Sequence, residues 1–180
     1  MKNTGQAFID YARALLSTDY VPKIERCLER LSDEQAWWRA GEKSNSIGNL
    51  LRHLSGNARQ WIVCGIGGAP DRRERQLEFD AREVIPRAEL LDQLKRTLDE
   101  VEETLARLDP SRLLEVRHIQ GCDVTVLEAV FHVVEHFSMH TGQIILITKM
   151  LASADLGFYD FSSGIPAANW HDKSHQSGEA

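Results

Sequence analysis

Three histidines, His132, His136 and His140, stand four residues apart in the apolar run FHVVEHFSMHTGQI, and neutral imidazole at that spacing is a metal ligand. An α-helix turns about 100° per residue, so side chains at i and i+4 lie one turn apart on nearly the same face and two rings converge on one ion. His136 and His140 make such a pair. Successive i+4 steps drift by about 40°, so three rings in a row do not point equally at one ion and one of them falls beside the site, which leaves His132/His136 as the other possible pair. A catalytic centre adds a third protein ligand and leaves a position open for water or substrate. His53, in NLLRHLSGNARQW among Leu50, Leu51, Leu54 and Trp61, is the candidate, on a second amphipathic helix.

A single histidine on an apolar face is more often a core residue bonded to a carbonyl, and His53 alone reads that way. Three in register are expensive to bury, because each ring must place a donor and an acceptor; coordination satisfies one nitrogen of each. A rival pattern is present: His132-Val133-Val134-Glu135-His136 spells H-x-x-E-H, the inverted zinc-protease motif, with Glu135 as general base. Its further carboxylate ligand would come from Asp155, Asp160, Asp172 or Glu179, none on a convincing helix, and it leaves His53 and His140 idle. A di-iron site needs paired Glu-x-x-His motifs, and only Glu115-Val116-Arg117-His118 has that spacing. His171 and His175 lie in a polar stretch and read as a solvated pair.

Four helices must position these rings. Thr4 to Leu31 is helix-rich, with Phe8, Tyr11, Leu15, Leu16, Ile24, Leu28 and Leu31 at helical spacing. Pro22 predicts a break between Thr18 and Lys23, with Ser17, Thr18 or Asp19 capping the second half. Ile47, Leu50, Leu51, Leu54, Ala58, Trp61 and Ile62 predict a second helix, stopped near Gly65. Ala69 to Pro86 is charged and aperiodic, a long connection of the kind that carries specificity or an interface. Ala88 to Leu108 is a third helix with one buried leucine stripe. Asp123 to Leu151, the most apolar segment, is the fourth and central one, preceded by an irregular region with His118 and Gly121. With no period-2 strand expected, the reading is all-α, a four-helix bundle in which facing helices build the site. It comprises one domain over residues 1–160 and an extended, irregular C-terminal tail over 161–180. Trp37, Trp38 and Trp61 read as core more readily than as pocket walls.

With 42% hydrophobic and 27% charged residues in 180, the chain has enough apolar mass to fold around one core. A net charge of -6 gives no electrostatic reason to bind nucleic acid. The basic run in Asp71-Arg72-Arg73-Glu74-Arg75 is interrupted by acids and reads as a solvated or dimer-contact loop. Cys27, Cys64 and Cys122 are odd in number and widely spaced, which argues against a disulfide framework and for a reducing cytoplasm. No signal segment or membrane-length apolar run is visible.

The segments SNSIGNLLRHLSGNARQWI, DRRERQLEFD and VLEAVFHVVEHFSMHTGQIILITKML together resemble the DinB-like (YfiT-like) metalloenzyme superfamily, in a branch of unassigned function, over roughly residues 20 to 160. The resemblance implies a four-helix bundle with one long crossover. It implies a metal triad of one histidine on the second helix and an H-x-x-x-H pair on the last, matched by His53, His136 and His140, with the H-x-G-Q-I ending at His140-Thr141-Gly142-Gln143-Ile144. It implies a divalent transition metal, nickel or zinc, a homodimer, and either thiol S-transfer with a low-molecular-weight thiol or metal-dependent hydrolysis of a small-molecule substrate. Asn57, His132, Glu135 and Gln143 are candidates for groups around the ligands or the substrate. A non-catalytic stress-response or interaction protein with a structural or vacant site is the reading from another class.

Overall fold

The computed structural model describes residues 3–153 and 155–170. The chain is mostly helical. Helix α1 (Thr4–Ala14) runs through a π-helical stretch, Leu15–Tyr20, directly into α2 (Val21–Glu29). The break expected at Pro22 does not occur, because the wide π turn accommodates the missing donor and the ring where an α turn would clash. Nor do the expected caps form. Ser17 and Thr18 donate back to the carbonyls of Arg13 and Ala14 at 2.9 and 2.7 Å, and Asp19 pairs with Lys23 at 2.8 Å. A single turn, α3 (Asp33–Ala36), follows, capped by Ser32.

Helix α4 (Ile47–Ala58) starts at Ser46, whose hydroxyl accepts from the Asn49 amide at 3.1 Å while Asn49 Oδ1 accepts from the Ser46 amide. That reciprocal cap is buried, so Ser46→Ala is expected to cost about 1 kcal/mol, measurable by urea denaturation; an unchanged midpoint would remove the cap from the account. Ile47, Leu50, Leu51, Leu54 and Ala58 face the core, and the helix continues as a π stretch, Arg59–Cys64. The long connection is not structureless, for it holds α5 (Arg75–Asp80), which packs on α4. Helix α6 (Arg87–Ala106) buries Leu90, Leu94, Leu98, Val101 and Leu105 against α4 and the π stretch after it.

Two small antiparallel hairpins depart from the all-helical expectation. Strands β1 (Val116–Ile119) and β2 (Cys122–Thr125) pair in register Ile119↔Cys122 to Val116↔Thr125. Their two-residue turn, Gln120-Gly121, has φ of 52° and 80°, the doubly left-handed geometry of a tight hairpin. This hairpin takes the first residues assigned to the last helix, so α7 (Val126–Ala152) begins three residues later, capped by Thr125 and Glu128. β3 (Tyr159–Asp160) and β4 (Ala167–Ala168) form the second hairpin. Arg26 secures the ends of this segment by donating to the carbonyls of Gly157 and Asn169 at 2.8 and 2.6 Å. His171 and His175 lie outside the described residues.

The core lies along α7, against which both α2 and α4 pack, with Ile24, Leu51, Leu54, Val133, Phe137 and Ile144 fully buried. Trp37 and Trp61 belong to it, whereas Trp38 is partly exposed. Among the described residues, no helix is long and apolar enough to cross a membrane.

Candidate metal centre

The face of α4 that buries Leu50 and Leu54 also carries His53 and, one turn on, Asn57; α7 opposes it with His140, His136 and His132. The polar groups meet in rungs. His53 Nε2 lies 2.8 Å from His136 Nε2, and the next rung pairs Asn57 Nδ2 with His132 Nε2 at 3.1 Å. The His140 ring stands 4.4 Å from that of His136 and 5.2 Å from that of His53. One ligating nitrogen from each of His53, His136 and His140 falls within 4.8 Å of the others, a three-histidine cluster compatible with a metal site.

Their outer nitrogens fix which way the lone pairs face. His53 Nδ1 lies 2.8 Å from Glu78 Oε2, and His140 Nδ1 lies 2.7 Å from Gln143 Oε1. The Glu78 carboxylate only accepts, so His53 Nδ1 carries its hydrogen and its Nε2 presents a lone pair inward; with Gln143 turned to present Oε1, His140 takes the same form. His140 Nε2 is buried with no hydrogen-bond partner. An orphaned buried acceptor costs about 1–3 kcal/mol, and a cation among the three nitrogens would satisfy it. The donor set therefore fits a divalent transition metal. His53 Nε2, His136 Nε2 and His140 Nε2 are the atoms that would hold such an ion.

Burial pushes the His136 imidazole down to about 3, with its neighbours His140 and His53 adding to the effect. Burial also lowers His132 and His140, the latter against a raising contribution from Gln143. The rings of His136 and His140, both lowered, are neutral at pH 7, the form that ligates.

Two residues that the sequence reading passed over complete the site. Glu78, on α5, is buried at 8% exposure. Burial raises its carboxyl, but hydrogen bonds from Arg73 and His53 outweigh that and hold it below the usual carboxylate range. Arg73 grips it through Nε to Oε1 at 2.7 Å and Nη2 to Oε2 at 2.8 Å, and reaches Gln60 Oε1 at 2.8 Å. Arg73 Nη2 is also 3.1 Å from His53 Nδ1; both are donors that converge on the same carboxylate oxygen. Phe79 covers the His53 ring at 4.6 Å. The available signal was the buried histidine itself, whose second nitrogen needs a partner. A cavity of about 340 Å³ borders the Arg73–Glu78 pair, lined also by Arg52, Gly56, Gln60 and Cys64.

The remaining candidates sort by contact. His132 stacks on Trp61 at 4.0 Å and bonds Asn57, outside the three-nitrogen cluster. Asn57 Oδ1 is buried without a partner. Glu135 is exposed. Gln143 touches His140 as described. His118 is exposed and pairs with Asp123 at 2.7 Å on the first hairpin, away from Glu115-type metal chemistry.

A mostly helical protein with a three-histidine cluster between two of its helices is the class defined so far. The chain belongs to the family described as "Protein of unknown function (DUF1572)", which it matches over residues 3–164. Among solved structures it is similar to one titled "Crystal structure of the conserved protein of locus from Enterococcus faecalis". The TM-score is 0.62 at 16% identity, over 86% of this chain and 99% of that one, a likeness of fold. No curated protein matches the chain.

Proposed function

We propose that the protein is a metal-dependent enzyme built as a DinB-like four-helix bundle, with the segment between α4 and α6 as its long crossover. In it, His53, His136 and His140 hold a divalent transition metal, nickel or zinc. The observation that carries this reading is the convergence of the three rings on one point, with His53 held by the Glu78 carboxylate so that its Nε2 lone pair turns inward and the buried His140 Nε2 left unpartnered. Bound by neutral ligands only, such an ion keeps its full charge and lowers the pKa of a thiol or water beside it.

The residues favour thiol chemistry over hydrolysis. A bound ion would help either nucleophile, but water starts from a far higher pKa. The carboxylate in contact with the cluster, Glu78, is engaged by Arg73 and His53 while Glu135 is exposed, so neither stands ready as an added base. A thiol, with an ordinary pKa near 8.5, ionises without such help. The substrate is therefore a small electrophile attacked by a low-molecular-weight thiol. Trp61 and His132 pack together at 4.0 Å beside the cluster, their planes tilted by 33°, and Asn57 supplies a buried acceptor there.

Elemental mass spectrometry of untagged, chelator-free protein tests the metal, and adding glutathione to the cobalt-loaded protein tests the thiol. A sulfur-to-cobalt charge-transfer band supports thiol transfer; a spectrum indifferent to thiol, with ester hydrolysis present, replaces it by hydrolysis. Glu135→Gln is expected to keep both metal and activity. Loss of peptidase activity in that variant would restore the inverted zinc-protease reading. Phe131, Met139, Leu146 and Met150 leave an exposed apolar stripe on α7 that suits pairing of two copies, which light scattering after gel filtration checks. Cys27, Cys64 and Cys122 are free thiols, in keeping with a reducing compartment.

A further inference from the structure

Between α4 and α6 the chain could close its connection without touching the histidines, yet it sends an acid into the core beside one of them. We propose that Glu78, clamped by Arg73, is the positioning residue that holds His53 with its Nε2 lone pair turned into the cluster, so that the crossover segment is a working part of the metal site. The inference rests on the metal reading above and deepens it.

Three independent features converge on this role. First, Glu78 accepts from His53 Nδ1 at 2.8 Å with both side chains nearly sealed from solvent, at 5% and 10% exposure. A carboxylate accepts only, so the ring is left one tautomer. Second, Arg73 engages both oxygens of Glu78 from 5%-exposed burial and is itself braced by Gln60. This fork fixes the plane of the carboxylate as well as its charge. Third, α4 makes room for the pair. Gly56 stands three residues after His53, and a Cβ there would fall on Glu78 Oε1 and lie 2.9 Å from Arg73 Nε. Glycine in mid-helix is unfavourable, and here its absent side chain is the seat of the clamp.

The three rings are consequently unlike. His53 is backed by an ionised carboxylate, His140 by the neutral amide of Gln143, which is itself exposed. A carboxylate behind the ring raises its basicity more than an amide does. Loss of Glu78 should therefore weaken the metal more than loss of Gln143.

Two chemically unrelated variants test the assignment. Glu78→Gln keeps the shape, but an amide serves either tautomer by presenting oxygen or nitrogen. Gly56→Ala keeps every charged group and is the better helix former, but displaces the carboxylate. Zinc affinity by competition with a chromophoric chelator, and the tautomer of His53 from imidazole ¹⁵N shifts of metal-free protein, are the readouts, with circular dichroism to show that each variant is folded. The expected result is a roughly 10- to 100-fold weaker zinc affinity in both variants, with the pure Nδ1–H signature of His53 giving way to a mixture. Unchanged zinc affinity and an unchanged Nδ1–H signature in both would overturn the proposal. Wild-type protein that binds no zinc, but shows the Nδ1–H form of His53 and loses it in both variants, would refute the metal reading and leave the role of Glu78 standing.

Discussion

Protein carrying His136→Ala is expected to emerge from purification with less than about a tenth of the metal of wild type, which should hold about one equivalent per chain. Structural zinc sites with four ligands bind with roughly 10–16 kcal/mol, on the order of 3 kcal/mol for each ligand. Removing one of three should therefore weaken binding by on the order of 100-fold. His136 is central to the cluster, since its ring touches those of both His53 and His140. His53→Ala and His140→Ala should lose metal to a similar degree. His132→Ala supplies the contrast. It deletes the bond to Asn57 and the stack on Trp61, which should cost about 1–3 kcal/mol of stability while leaving metal content near that of wild type. Equal retention by all four variants, or loss in His132→Ala alone, would dissolve the three-histidine assignment.

How far this site could be read in the sequence follows from the range of each interaction. The H-x-x-x-H spacing and the 40° drift that sets one outer ring aside are local properties of one helix, and they survive folding because α7 is continuous from Val126–Ala152; which ring it is depends on where His53 lies across the core. His53 was legible because it interrupts a leucine face at helical spacing, and the face must meet another helix. Glu78 and Arg73 were not, since neither has a periodicity to betray its burial. Their five-residue separation becomes a clamp only after the connection folds over Gly56. In a charged, aperiodic segment, a buried ion pair and a solvated one look alike.

The fold shows the same division. Apolar stripes located α4 and α6 to within a few residues, as packing dominates helices of that length. Pro22 misled because the local rule, that proline breaks a helix, gave way to a π-helical turn held by core residues Leu16, Tyr20 and Ile24. The first hairpin escaped because Gln120-Gly121 is a weaker turn signal than Asn-Gly or Asp-Gly. Its strands bury chiefly Ile119, too little to show alternation, while Gln120 Oε1 accepts from Trp61 Nε1 at 3.1 Å. That bond is tertiary, and it anchors the tryptophan that His132 stacks upon.

Metal-free protein is expected to lose stability steadily as pH falls from about 6.5 to 5, where many folded proteins are indifferent. The groups that face His136 are His53 from α4, His132 and His140 on its own helix, and Arg73 from the crossover, while the exposed Glu135 acts on His132 and His140. Its folded pKa of about 3 lies below the ordinary 6.5. The unfolded chain therefore takes up a proton in this window and the folded chain does not, so the neutral ring's full stability is present above pH 6.5 and is drained as pH falls toward 3. One such ring contributes at most about 1.4 kcal/mol per pH unit, so roughly 1–2 kcal/mol is lost by pH 5 after allowing for its partial exposure. His132 and His140, both lowered by burial, add to the slope with the same sign. Glu78, held low, contributes stability that is present above the ordinary carboxylate range and lost only as pH falls through its lower folded value, so its share appears below about pH 4.5. Urea denaturation at pH 7.5, 6.5, 5.5 and 5.0 separates these windows, and His136→Gln should flatten the upper one. A flat profile from 7.5 to 5 in wild type would mean that the rings are solvated and charged without penalty, which is incompatible with a buried cluster of lone pairs awaiting a cation. With zinc bound, the same window should steepen, because each proton that enters the cluster must first displace the metal.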